Sequence, residues 1–115
     1  MIKNLTKQTV ITQHTEFFAT SWSRFRGLMF RKVKPSVGYL FLFPKPTYAA
    51  IHMLFVPDPI DVLWLDRDGR VIDIAIHVKP WSLHTAPKGY ATFMIELMAG
   101  SVVLSLTQVG DQIEF

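Results

Sequence analysis

The chain contains no cysteine, which excludes disulfides, thiolate zinc sites and cysteine nucleophiles. Long apolar runs are also missing. The longest uncharged stretches, Pro46 to Pro57 and Leu97 to Gly110, are too short to span a bilayer and carry Pro or Gly, so no membrane segment is expected. Met1 to Lys7 turns polar before any signal-like apolar stretch, which makes a cytoplasmic location the expectation. No repeat or low-complexity tract interrupts the chain. His14, His52, His77 and His84 show no His-x-His or His-Glu-x-x-His spacing, and phosphate-cradling glycine loops and Gly-x-Ser-x-Gly elbows are absent. Neither a metal site nor a cofactor is therefore expected. A site built from His52, Asp61 and His77 has no support from spacing, and the Asp66-x-Asp68-Gly69 turn lacks the later ligands of a calcium loop.

What is present favours one compact domain over residues 1–115, with half the residues hydrophobic and 13% aromatic. The net charge of +3 is unevenly spread: Arg24, Arg26, Arg31, Lys32 and Lys34 follow one another with no acid among them. Aromatic neighbours in that stretch read as packing, so a solvated surface is favoured over a nucleic-acid interface.

Thr9 to His14 has the β-branched content of a strand. Thr20 or Ser21 can cap a short helix bearing Trp22, Phe25 and Met29 on one face, which Gly27 weakens. Tyr39 to Phe43 reads as a strand stopped by Pro44 and Pro46, and Thr47 to Val56 as a further strand ended by Pro57. Ile60 to Asp66 and Arg70 to Val78 form a hairpin across Arg67-Asp68-Gly69, with Asp66 facing Arg70. Lys79 to Gly89 is a loop, Thr92 to Leu97 a strand, Ala99 to Leu106 a short helix and Gln112 to Phe115 a last strand. About seven strands with one or two short helices predict a mainly β, antiparallel sandwich or partly open barrel.

Alternation along the hairpin sorts its faces. Ile60, Val62 and Trp64 with Ile72, Ile74 and Ile76 make a core face. Asp61 then lies opposite Ala75, one pair from His77, where an acid and an imidazole could share acid–base work. Glu96 stands alone among apolar neighbours, and a buried carboxylate calls for a partner such as Arg24 or Arg26.

Arg24-Phe25-Arg26-Gly27-Leu28-Met29-Phe30-Arg31, Gly38 to Phe43, Pro59-Ile60-Asp61-Val62, Asp66 to Val71, Glu96 with Gly100, and Gly110-Asp111 occur in an order that resembles the prokaryotic family called domain of unknown function 192. The resemblance covers Thr20 onward and implies a β-sandwich-like fold with short helices, but no activity. The family pattern places Trp-Met-Lys-Asn-Thr before its Pro-Leu-Asp. Here His52-Met53-Leu54-Phe55-Val56 stands there, with the Met kept and the polar part turned apolar.

The favoured functional reading is a binding module for a small ligand or peptide segment. Its expected residues are Arg24, Arg26, Met29, His52, Met53, Asp61 and Glu96, around an apolar pocket edged by Arg26, His52, Asp61 and Glu96. An acid–base, hydrolase-like enzyme using Asp61 or Glu96 with a histidine is the alternative, and no catalytic residue is assigned. A third reading is a homo-oligomeric interaction protein with Tyr39, Tyr48 and Trp81 on a dimer surface.

Overall fold

The computed structural model describes residues 1–20, 31–53, 55–82 and 84–115. Among the described residues the strands are β1 (Ile2–Asn4), β2 (Thr9–Thr12), β3 (His14–Phe18), β4 (Val37–Thr47), β5 (Ile60–Leu65), β6 (Val71–Val78), β7 (Ala91–Met98) and β8 (Ile113–Glu114), with one helical turn, α1 (Ser101–Leu104). Five strands form a sheet in the order β3-β4-β7-β5-β6, and three form a smaller sheet in the order β2-β1-β8. The fold is mainly β, and neither sheet closes into a barrel. All pairings are antiparallel except that of β3 with β4, which is parallel. A parallel pair needs a long crossover, here residues 19–36. The expected helix capped by Thr20 or Ser21 falls on that crossover, and apart from Thr20 it lies outside the described residues.

The large sheet is buried on both faces. The small sheet and α1 cover one face, packing Ile2, Val102 and Ile113 against Leu40, Leu63, Leu65, Ile95 and Leu97. Irregular chain covers the other, where Val33, Ala49, Ile51, Met53 and Val56 pack on Tyr39, Val62, Trp64 and Met94. Burial on both sides explains why all six residues of β5 are buried.

Three expectations about strands change. Pro44 and Pro46 lie inside β4 instead of ending it. They fall where the β4–β7 register shifts between Leu42 and Thr47, beyond the last β3 partner at Phe41, so no ladder needs their missing N–H groups. Thr47 ends β4, and the described residues after it in the expected Thr47 to Val56 strand form none. Both sides of β4 are already paired, and the segment makes only an isolated bridge from Ile51 to Thr85. It still alternates, burying Ala49, Ile51 and Met53 and exposing Tyr48, Ala50 and His52. The Trp64 indole N–H donates to the Ala49 carbonyl at 2.8 Å and pins the segment to the sheet.

The third change is the hairpin register. Counted from the turn, a bulge between Trp64 and Leu65 places Val62, not Asp61, opposite Ala75, and a second between Ile60 and Val62 then pairs Ile60 with Val78. Ile74 moves to the face of Leu63 and Leu65, and Ile76 is exposed. At the turn, Asp66 and Arg70 pair through backbone, but their side chains form no ion pair. The Asp66 carboxylate accepts the Asp68 and Arg70 N–H groups, while Arg70 donates to the Gly110 carbonyl. Gly69 has φ 81, and a Cβ there would stand 2.9 Å from the Ile113 carbonyl oxygen, so the turn requires glycine.

Candidate functional site

Asp61 is fully buried, with relative exposure 0%. One carboxylate oxygen accepts the Gly100 and Val102 N–H groups, each at 3.0 Å, and the other accepts the His77 N–H at 2.9 Å. Gly100 supplies no side-chain cap for α1, so a carboxylate from β5 satisfies the orphan donors at that helix start. The same side chain holds His77, whose φ of 50 marks the bulge in β6. The imidazole–carboxylate pair expected at Asp61 is therefore a backbone contact, and the exposed His77 ring lies outside it.

Glu96 is on the other face. In the β5–β7 ladder Asp61 pairs with Leu97 and Val62 with Glu96. Side chains alternate along a strand, so Asp61 joins the face covered by α1, while Glu96 joins Tyr39, Val62 and Met94. A single pocket edged by both acids cannot form. Glu96 is 7% exposed, and its carboxyl makes no hydrogen bond or ion pair with another described residue. Loss of hydration pushes its carboxyl up to about 8.

At the rim of the Glu96 face is an open hollow of about 480 Å³, lined by Arg31, Lys32, Phe55, Pro57 and Trp81. Met53, buried beneath, builds one wall through its backbone. Its N–H donates to the Ser82 carbonyl, and its carbonyl accepts the Trp81 and Val56 N–H groups. This knot brings the Phe55 and Trp81 rings edge to face, with centroids 5.2 Å apart. Both rings stay largely exposed, and both residues have left-handed backbone, φ 59 and φ 66. Bulky side chains adopt that conformation at a cost of about 1–3 kcal/mol, which the surrounding contacts must offset.

The opposite wall is fixed as firmly. Asp58 accepts the Val33 N–H at 3.1 Å and ties the two walls together. Arg31 makes a two-pronged contact with Glu16, at 2.7 and 2.9 Å, and lies over the Phe18 and Tyr39 rings. Hydrogen bonding to Glu16 raises the Arg31 pKa, which keeps the guanidinium charged.

Of the expected site residues, Met53 and Glu96 share this side of the sheet, His52 is exposed nearby in sequence, and Asp61 is on the far side. Arg24, Arg26 and Met29 lie outside the described residues. Tyr39 cannot serve a dimer surface, being fully buried with its hydroxyl accepting the Lys34 N–H. Sequence reasoning missed Phe55, Pro57 and Trp81 as a unit. The available signal was the apolar replacement in Leu54-Phe55-Val56, beside the basic pair Arg31-Lys32. Among the described residues, no three His, Asp or Glu side chains are grouped as metal ligands, no imidazole meets a carboxylate, and no helix is long and apolar enough to cross a membrane.

Comparison with known proteins agrees with this architecture. A UPF0127 protein of Thermococcus sibiricus is 36% identical over 119 residues, covering 100% of this chain and 74% of the relative. A UPF0127 protein of Pyrococcus furiosus is 34% identical, covering 97% of this chain and 95% of its own length. A crystal structure of a protein of unknown function from Novosphingobium aromaticivorans superimposes with a TM-score of 0.82 at 27% identity, over 88% of this chain and 74% of that one. The profile of domain of unknown function 192, described as uncharacterised ACR, matches residues 2–115, and the chain belongs to that family.

Proposed function

We propose that the protein is a binding module whose site is the hollow between the Arg31-Lys32 wall and the Phe55–Trp81 pair. The observation that carries this reading is the aromatic pair itself. Two large rings are presented to solvent on strained backbone, held there by the Met53 knot, over a hollow of about 480 Å³. Folding alone gives no reason to expose such rings at that cost, whereas ligand sites are mostly apolar, with a few placed polar groups. The hollow falls within the roughly 300–1,000 Å³ typical of small-molecule sites. A small ligand or a short peptide segment fits these dimensions.

The test is a thermal-shift screen of metabolites and short peptides against the wild type and Trp81→Ala. The reading expects compounds that raise the wild-type melting temperature and leave the variant unmoved. Compounds that stabilise both proteins equally would remove the hollow from consideration.

A further inference from the structure

We propose that the ligand of this hollow is a carboxylic acid with an apolar body, its carboxylate meeting the Lys32 ammonium and its body lying on Phe55, Pro57 and Trp81. The proposal rests on the binding reading above and adds the chemical class of the ligand.

Among the described residues, the lining supplies two cations and no acid. The cations differ in availability. The Arg31 guanidinium is committed to Glu16 by two short contacts and is packed over the Phe18 and Tyr39 rings. Lys32 is exposed and has no ion pair or hydrogen bond among the described residues. Among the described residues, the hollow therefore offers one unspent positive charge beside an apolar surface. That charge matches a monoanion. A phosphate, with nearly two negative charges and three acceptor oxygens, favours a forked or multiple donor set, and the forked donor here is already taken. A neutral or cationic amphiphile would leave Lys32 without a partner. Two sources supply the required chemistry: a free hydrocarbon acid, and the C-terminal carboxylate of a peptide ending in an apolar residue.

Isothermal titration of the full chain tests this with octanoate and octanamide, and with a tetrapeptide ending in Leu-Phe as free acid and as C-terminal amide. At least one acid should bind roughly twofold to fivefold more tightly than its amide, the range expected for an exposed ion pair. Lys32→Gln should erase that preference and Lys32→Arg should keep it; Lys32 is exposed, so folding is not at issue. Preference for octanoate identifies a free acid as the source, and preference for the free peptide identifies a chain terminus. If acid and amide bind the wild type equally and Trp81→Ala loses both, the carboxylate assignment is wrong and the binding reading stands. If no probe binds and no screened compound separates the wild type from Trp81→Ala, both fail. Binding of an oligonucleotide that depends on Lys32, with no acid bound, also overturns the proposal.

Discussion

Asp61 and Glu96 stand one register step apart across the β5–β7 ladder, and that step sends their side chains to opposite faces of one sheet. Each acid interrupts an apolar run, yet their chemistry differs. Asp61 is saturated by three backbone donors and holds α1 and the β6 bulge in place. Glu96 has no such donors among the described residues, and burial keeps its proton on.

Replacing Asp61 should therefore cost stability. Asp61→Ala leaves three N–H groups without their acceptor and is expected to lose about 3 kcal/mol or more. Asp61→Asn keeps one acceptor oxygen and should lose less. Urea denaturation measures both, and a loss below about 1 kcal/mol for the alanine variant would contradict the capping role.

Glu96 sets a pH dependence of definite sign. Its carboxyl ionises at about 8 in the folded chain, against 4.5 as the ordinary value. Between those values the folded chain holds a proton that the unfolded chain has released. Stability should then fall as pH rises, by at most about 1.4 kcal/mol per pH unit from this group. Glu96→Gln should flatten the profile and be more stable than the wild type near pH 8. Parallel wild-type and variant profiles would show that Glu96 ionises normally.

Asp111 works in the opposite direction. Burial alone raises its carboxyl, but hydrogen bonds from Asn4, Lys7 and the Gln108 N–H, with the Lys7 charge, outweigh that and hold it below its ordinary value. A depressed pKa stabilises the fold above the unfolded value and is lost as pH falls through the folded one. Asp111→Asn should cost about 1–3 kcal/mol at neutral pH, with the gap to the wild type closing in acid. Chemical denaturation across the acid range checks this, and a gap independent of pH would count against it.

Strain at the aromatic pair separates binding from stability. Trp81→Gly relieves a left-handed backbone at an exposed position, so stability should hold or rise by up to about 1 kcal/mol while ligand binding is lost. A variant destabilised by more than about 1.5 kcal/mol would mean that the ring serves the fold.

The hairpin, most strand positions and the sandwich-like layering are legible in the sequence because alternation and the Asp-x-Asp-Gly turn are local signals. Register is not. The bulge beside Trp64 moves Ala75 opposite Val62, and the bulge at His77 is held by the Asp61 carboxylate, a contact between residues distant along the chain. Pro44 and Pro46 mislead because a proline ends a strand only where a partner needs its N–H, and here none does. Residues 48–53 keep the alternation of a strand, but they leave β4 where both of its sides are already paired and make an isolated bridge at Ile51. At the candidate site, Glu96 and Met53 stand out locally as a lone acid and a residue kept within an altered stretch. Phe55 and Trp81 are brought together by hydrogen bonds that the Met53 carbonyl accepts from Val56 and Trp81, which no spacing rule reveals.

Amide chemical-shift mapping by NMR, with apolar acids and their amides titrated into the full chain, tests the central claim most directly. Perturbations should centre on Lys32, Met53, Phe55, Val56, Trp81 and Ser82. Shifts confined instead to the Asp61 face of the sheet would contradict a binding site at the aromatic pair.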